Sequence, residues 1–212
     1  TNGHVGTATN GSGNTAIGYN SMTAFNDVNF LKNTAVGFET MSEGGSSNPS
    51  HNTAVGFQAL KNVNHNDGDS NTAIGSGSLT ALTSGKENTG LGRGAGAGIT
   101  TGNYNTALGF SALDQTDDGN ENVAVGAYSI GNSNAGDKNV CVGYATGYVV
   151  TGSGNVAIGN RALTATDDGN RNVAIGQDAL GANADDDNVA VGYQALYQCT
   201  GTDNVAIGGS TG

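Results

Sequence analysis

Hard oxygen ligands gather at four places along the chain. Asp117-Asp118-Gly119-Asn120 and Asp167-Asp168-Gly169-Asn170 are near-identical, with His65-Asn66-Asp67-Gly68-Asp69 and Asp185-Asp186-Asp187 as looser relatives. Carboxylates and backbone carbonyls crowded into a turn suit Ca²⁺, so Asp117, Asp118, Asp167 and Asp168 are the metal candidates. Their spacing matches neither the EF-hand loop nor the Gly-Gly-x-Gly-x-Asp repeat of calcium-binding rolls. Asp-Gly is also an ordinary tight-turn pair, because both residues tolerate the backbone angles a turn needs. Structural turns are therefore the favoured reading and weak Ca²⁺ binding the alternative; no other cofactor is expected.

Other chemistry is scarcer. His4, His51 and His65 fall in loops or at the start of the chain, and none recurs beside a Ser or an acid as a nucleophile and its base would. Gly92-Arg93-Gly94-Ala95-Gly96-Ala97-Gly98 looks like a phosphate-cradling loop but precedes no amphipathic helix. Its lack of a bulky residue marks it instead as a weak point. Cys141 fills an Ala position and Cys199 lies in a variable stretch. Three repeats of about 4.8 Å would hold them too far apart to bridge, so both read as free thiols. No enzymatic activity is expected.

What positions these residues is a repeat. The pentad Asn-[Thr/Val]-[Ala/Gly/Cys]-[Ile/Val/Leu]-Gly begins at Asn14, Asn33, Asn52, Asn71, Asn88, Asn105, Asn122, Asn139, Asn155, Asn172, Asn188 and Asn204, twelve copies spaced by 16 to 19 residues. Such self-similarity signals stacked units that contact only their neighbours. The expected fold is all-β, a parallel β-roll or β-solenoid of about twelve rungs, one per repeat and about 58 Å long. Residues 1–212 read as one continuous array, with 1–13 a partial or atypical first rung.

Within a rung, alternation by two places the second and fourth pentad residues, such as Val123 and Val125, on one face of a short strand. These are expected to point inward, leaving an Ala and Gly face where another backbone can come close. Three residues after the pentad Gly comes a small-plus-large pair in seven repeats, for example Ala112-Leu113 and Ala162-Leu163, which should supply one bulky plug per rung. Polar turn residues follow and carry all the variation in length. The pentad Asn is expected either to stack on its equivalents in a hydrogen-bonded amide ladder or to occupy a left-handed turn.

These pentads resemble the head repeats of trimeric autotransporter adhesins, where a similar Asn-x-Val-Ala-Ile-Gly unit winds into a left-handed parallel β-roll. Gly-Asn-Thr-Ala-Val-Gly-x-x-Ala-Leu repeats of tail-fibre proteins of bacterial viruses are closer still in wording. The resemblance covers Asn14 to Gly208. It implies a homotrimer about a common axis and two functions: the shaft of an extracellular or virion-surface fibre presenting an attachment tip, or the head of a bacterial surface adhesin that binds a cell-surface receptor or glycan. The chain starts without Met and ends within a repeat, which reads as an excerpt of a longer protein.

Composition bounds the partners. The 212 residues include 37 Gly, no Trp and seven scattered Lys and Arg against 18 acids, a net charge of −11. Residues 1–105 carry six acids and four bases (−2), and 106–212 carry twelve and three (−9). Phosphate neutralisation needs clustered bases, so no nucleic-acid partner is expected, and no apolar run is long enough to insert in a membrane. Tyr19, Phe38, Phe57, Phe110, Tyr144 and Tyr193 follow the pentad Gly and suggest a repeated packing corner. Phe25, Phe30, Tyr104, Tyr148 and Tyr197 fall in loops, where a receptor could meet them. A Thr row at the second pentad position, Thr15 to Thr106, could present a lattice to ice, but its change to Val from Val123 onward reads as a buried position.

Overall fold

The computed structural model describes residues 12–23, 29–44, 48–64, 67–165 and 168–212. His4, Phe25, His65, Asn66 and the metal candidate Asp167 lie outside these described residues. Every pentad forms one three-residue strand: β1 (Thr15–Ile17), β2 (Thr34–Val36), β3 (Thr53–Val55), β4 (Thr72–Ile74), β5 (Thr89–Leu91), β6 (Thr106–Leu108), β7 (Val123–Val125), β8 (Val140–Val142), β9 (Val156–Ile158), β10 (Val173–Ile175), β11 (Val189–Val191) and β12 (Val205–Ile207). The twelve pair in sequence order as one parallel sheet, and each residue meets its own equivalent, Ala16 on Ala35 and Ala157 on Ala174. The fold is a β-solenoid, with no helix among the described residues.

The two faces are the reverse of the expectation. The central strand residue is buried in every strand from β1 to β11, while its neighbours are half-buried or exposed. Ala therefore points into the coil and Thr, Val, Ile and Leu point out of it. The cause is space: a coil of 16 to 19 residues brings its opposite wall so close that only a small side chain fits behind the strand, and the one larger than Ala, Cys141, faces Gly147. Gly90 shows the limit, since a Cβ there would already sit 2.4 Å from Ser78 Oγ.

The rest of the core comes from the opposite wall. Leu60, Leu79, Leu113, Leu163 and Leu180 are fully buried plugs, as expected of the small-plus-large pairs, and Ile130 is a further one outside those pairs. Each holds a positive φ of about 47 to 54°, an uncommon state for a bulky side chain that aims it across at the Ala column. The small residue before each plug is also buried; where it is Ser, its hydroxyl donates to a carbonyl of the next strand, as Ser78 to Gly90 O (2.9 Å) and Ser129 to Cys141 O (3.0 Å).

At Gly96 and Gly147 the plug is missing, yet the core is not. Ile99 and Val150, three residues further on, are fully buried, and a Cβ on Gly96 would lie 2.6 Å from Leu79 Cδ2 and 3.1 Å from Ile99 Cδ1. The segment from Gly92 to Gly98 is accordingly not a void.

Candidate functional site

The Asn column is the most regular constellation in the molecule. Asn33, Asn52, Asn71, Asn88, Asn105, Asn122, Asn139, Asn155, Asn172 and Asn188 are buried, and Asn14 and Asn204 lie at the two ends. Each Oδ1 accepts the backbone N–H of the next Asn: Asn14 from Asn33 (2.9 Å), Asn88 from Asn105 (2.9 Å), Asn172 from Asn188 (2.9 Å) and Asn188 from Asn204 (3.0 Å). In most rungs the same Oδ1 also accepts the next Asn side-chain amide, and that amide donates onward to a turn carbonyl of the following rung, as Asn52 to Gly68 O (2.8 Å) and Asn105 to Gly119 O (2.7 Å). The amide ladder is thus present. The left-handed alternative falls one residue earlier, on the residue preceding the Asn, including His51, Tyr104, Glu121 and Arg171. Asn172 Nδ2 alone among these side chains is buried without a partner, in the rung where Asp185 replaces the turn Gly.

A second ladder runs two residues before the first and points the other way. Asn103 N–H donates to Asn120 Oδ1 (3.0 Å), Asn120 to Asp137 Oδ1 (2.8 Å), Asp137 to Ser153 Oγ (3.0 Å), Ser153 to Asn170 Oδ1 (2.9 Å) and Asn170 to Asp186 Oδ1 (2.9 Å). This ladder gives the acidic loops a structural role. Asp117 accepts from Thr100 and Asp118 from Asn134 (3.2 Å), while Asp168 is also engaged. Among the described residues no three His, Cys, Asp or Glu side chains converge as a metal would require.

Charge is handled locally. Arg171 bridges Asp187 (2.7 Å) and Asp186 (3.0 Å); the Asn170 backbone N–H holds the Asp186 carboxyl below the usual carboxylate range, and the hydrogen bond from Arg171 does the same for Asp187. Lys61 reaches Glu43 (3.0 Å) and Glu39 (3.6 Å). Burial pushes the Cys141 thiol up to about 12, which removes it from thiolate chemistry. Both cysteines are free thiols.

The fourth pentad column of the outward strand face is aliphatic along the whole stack. Ile17, Ile74, Leu91, Leu108, Val142, Ile158 and Ile175 are all more than a third exposed. The Thr row lies on this same face, so its change to Val reflects an outer surface and not burial; the neighbouring column is aliphatic and offers no second hydroxyl row. Beside the face stands the aromatic corner. Tyr19, Phe38 and Phe57 stack at 5.2 and 5.5 Å, and Arg93 covers the ring of Phe110 at 5.2 Å. Phe30 lies between strands as expected but is fully buried, which closes it to a receptor.

One cleft interrupts that corner, with a volume of about 610 Å³ and a lining of Tyr128, Tyr144, Ala145, Tyr148, Arg161 and Thr164. Tyr148 was legible as a loop aromatic, whereas Tyr104 does not line this cleft. Tyr128 and Arg161 escaped notice because they sit two residues after the pentad Gly, a column with no fixed chemistry. Among the described residues no helix is long and apolar enough to cross a membrane. Comparison with known protein families, curated proteins and solved structures finds no match to this chain.

Proposed function

We propose that this chain is the shaft of an elongated extracellular or virion-surface fibre, assembled from three copies in parallel and in register, that spaces an attachment tip from its base. The observation that carries the reading is the exposed apolar strand face. A face on the order of 58 Å by 10 Å, aliphatic in one column throughout and in both from Val123 onward, approaches the roughly 800 Å² per partner of a stable interface. Its features recur once per rung, so the partner that fits along its full length is one with the same period, another copy of this chain. Threefold symmetry is taken from the resemblance to fibre and adhesin repeats.

A catalytic role has no support, because the recurring constellations are ladders whose side chains are spent on one another. The exposed rings Tyr19, Phe38 and Phe57 favour one second reading, the head of a bacterial surface adhesin that binds a receptor by many weak contacts multiplied across the trimer. Sedimentation equilibrium of the chain and of Ile158→Glu tests the assembly: a trimer that dissociates in the variant, with the strand signal in circular dichroism kept, is the expected result. Binding of the intact assembly to cells decides between spacer and head.

A further inference from the structure

The column two residues after the pentad Gly reads Tyr128, Ala145, Arg161 in three successive rungs. All three share a positive φ of 50 to 58°, so their side chains leave the wall alike, and small Ala145 forms a floor between two large neighbours. Tyr144 bounds the gap on the strand side, more than half exposed. On the far side stand Tyr148 and Thr164, each five residues after its pentad Gly. The result is the 610 Å³ cleft, inside the roughly 300–1,000 Å³ of ligand pockets.

Its chemistry is selective. Three tyrosines offer apolar ring surfaces tipped with hydroxyls, and Tyr128 meets Tyr144 edge to face at 6.1 Å, which leaves the rings at right angles around the floor. Arg161 is held by an ion pair to the buried Asp178 carboxylate at 2.8 Å. That pairing leaves guanidinium N–H donors over. An anionic ligand would compete with Asp178 for the same charge and approach the more acidic half of the chain, net −9 over residues 106–212. A flat ligand with one C–H face and a rim of neutral hydroxyls meets none of these costs.

We infer that the Tyr128, Tyr144, Tyr148 and Arg161 cleft is a binding site for a neutral pyranose unit of a glycan. The sugar's C–H face packs on tyrosine, and its hydroxyls pair with Arg161 and the tyrosine hydroxyls. The site lies on the side of the rod and is independent of the spacer reading: a shaft can carry it, and a shaft lacking it remains a shaft.

The chain contains no Trp, so tyrosine fluorescence reports binding directly, with calorimetry as the second readout. The assembled protein is titrated with chitohexaose, maltohexaose and 3′-sialyllactose. Saturable binding of a neutral hexamer is expected, weakened on the order of tenfold by Tyr148→Ala and by Tyr144→Ala, and unchanged by Tyr104→Ala, which lies outside the cleft. Tyr144→Ala removes an exposed ring, so it keeps the test decisive should Tyr148→Ala destabilise the rung. Absence of saturable binding by both hexamers at about 10 mM, a range in which even weak sites fill, overturns the site. Tighter binding of 3′-sialyllactose overturns the neutral class, and an equal loss in Tyr104→Ala overturns the location.

Discussion

The rung closed by Leu163 and the rung that contains Gly96 solve one packing problem in two ways. In the first, the residue four places after the pentad Gly is the plug, fully buried at φ 54°. In the second, that position is Gly with φ 64°, and fully buried Ile99 reaches the same interior from three residues on. Backbone conformation is kept while the side chain that fills the space is exchanged. In the rungs of Leu60 and Leu79 both positions are filled, the later one by Val63 and Leu82; where the first is Gly96, Ile99 supplies the bulk alone.

The largest expected effect breaks the first rung. Leu163→Asp puts an unpaired charge among apolar neighbours and should cost about 4 kcal/mol or more, or prevent folding outright, by urea denaturation. Next comes the second rung, where Ile99→Ala should cost about 3 kcal/mol and Gly96→Leu about 2 kcal/mol through overpacking against Leu79 and Ile99. If the two side chains share one volume, the double variant Gly96→Leu, Ile99→Ala should be more stable than either single one. Additive losses in that cycle would show two separate sites.

Ladder positions sharpen the same comparison. Asn122→Ala leaves the Asn139 N–H and the Gly136 carbonyl without the bonds they now make at 2.9 and 2.8 Å, a loss of about 3 kcal/mol by denaturation. Asn204→Ala, with an Asn neighbour on one side, should cost about half that. The smallest effect belongs to Asp186. Asp186→Asn keeps the oxygen that accepts from Asn170, as Asn120 does one ladder step away from Asn103, and should leave the denaturation midpoint nearly unchanged; Asp186→Ala removes that acceptor and should lower it more.

Acid provides a further measurement. The carboxyls of Asp186 and Asp187 are held below their ordinary range in the folded chain, so the stability they lend is present above that range and is lost as pH falls through the depressed values. Melting curves from pH 7 downward should therefore show a drop that Arg171→Gln reduces at Asp187.

The strands were legible because a pentad recurring twelve times carries its own alternation, and the amide ladder because Asn at strand spacing has an obvious neighbour. Inside and outside were not. Hydrophobicity alone sends Val123 and Val125 inward, but the distance across the coil decides, and it admits only Ala124. Likewise, Ile99 and Val150 could not be recognised as core residues, because they lie in stretches whose length varies and whose path no local pattern fixes. Tyr128 and Arg161 meet only once the rungs are stacked.

The pentad Gly has a wider consequence. A Cβ on Gly18 would lie 2.2 Å from Gly37 O, one on Gly37 2.3 Å from Gly56 O, and one on Gly126 2.3 Å from Gly143 O. Every rung thus presents its neighbours with the same bare backbone edge, the same Asn acceptor and, in ten of the twelve, the same Ala. A unit so indifferent to its address can be duplicated or deleted whole, Asn105 meeting Asn139 as readily as it meets Asn122. The length of such a rod can change by gene duplication in steps of about 4.8 Å, with no residue elsewhere needing to change with it.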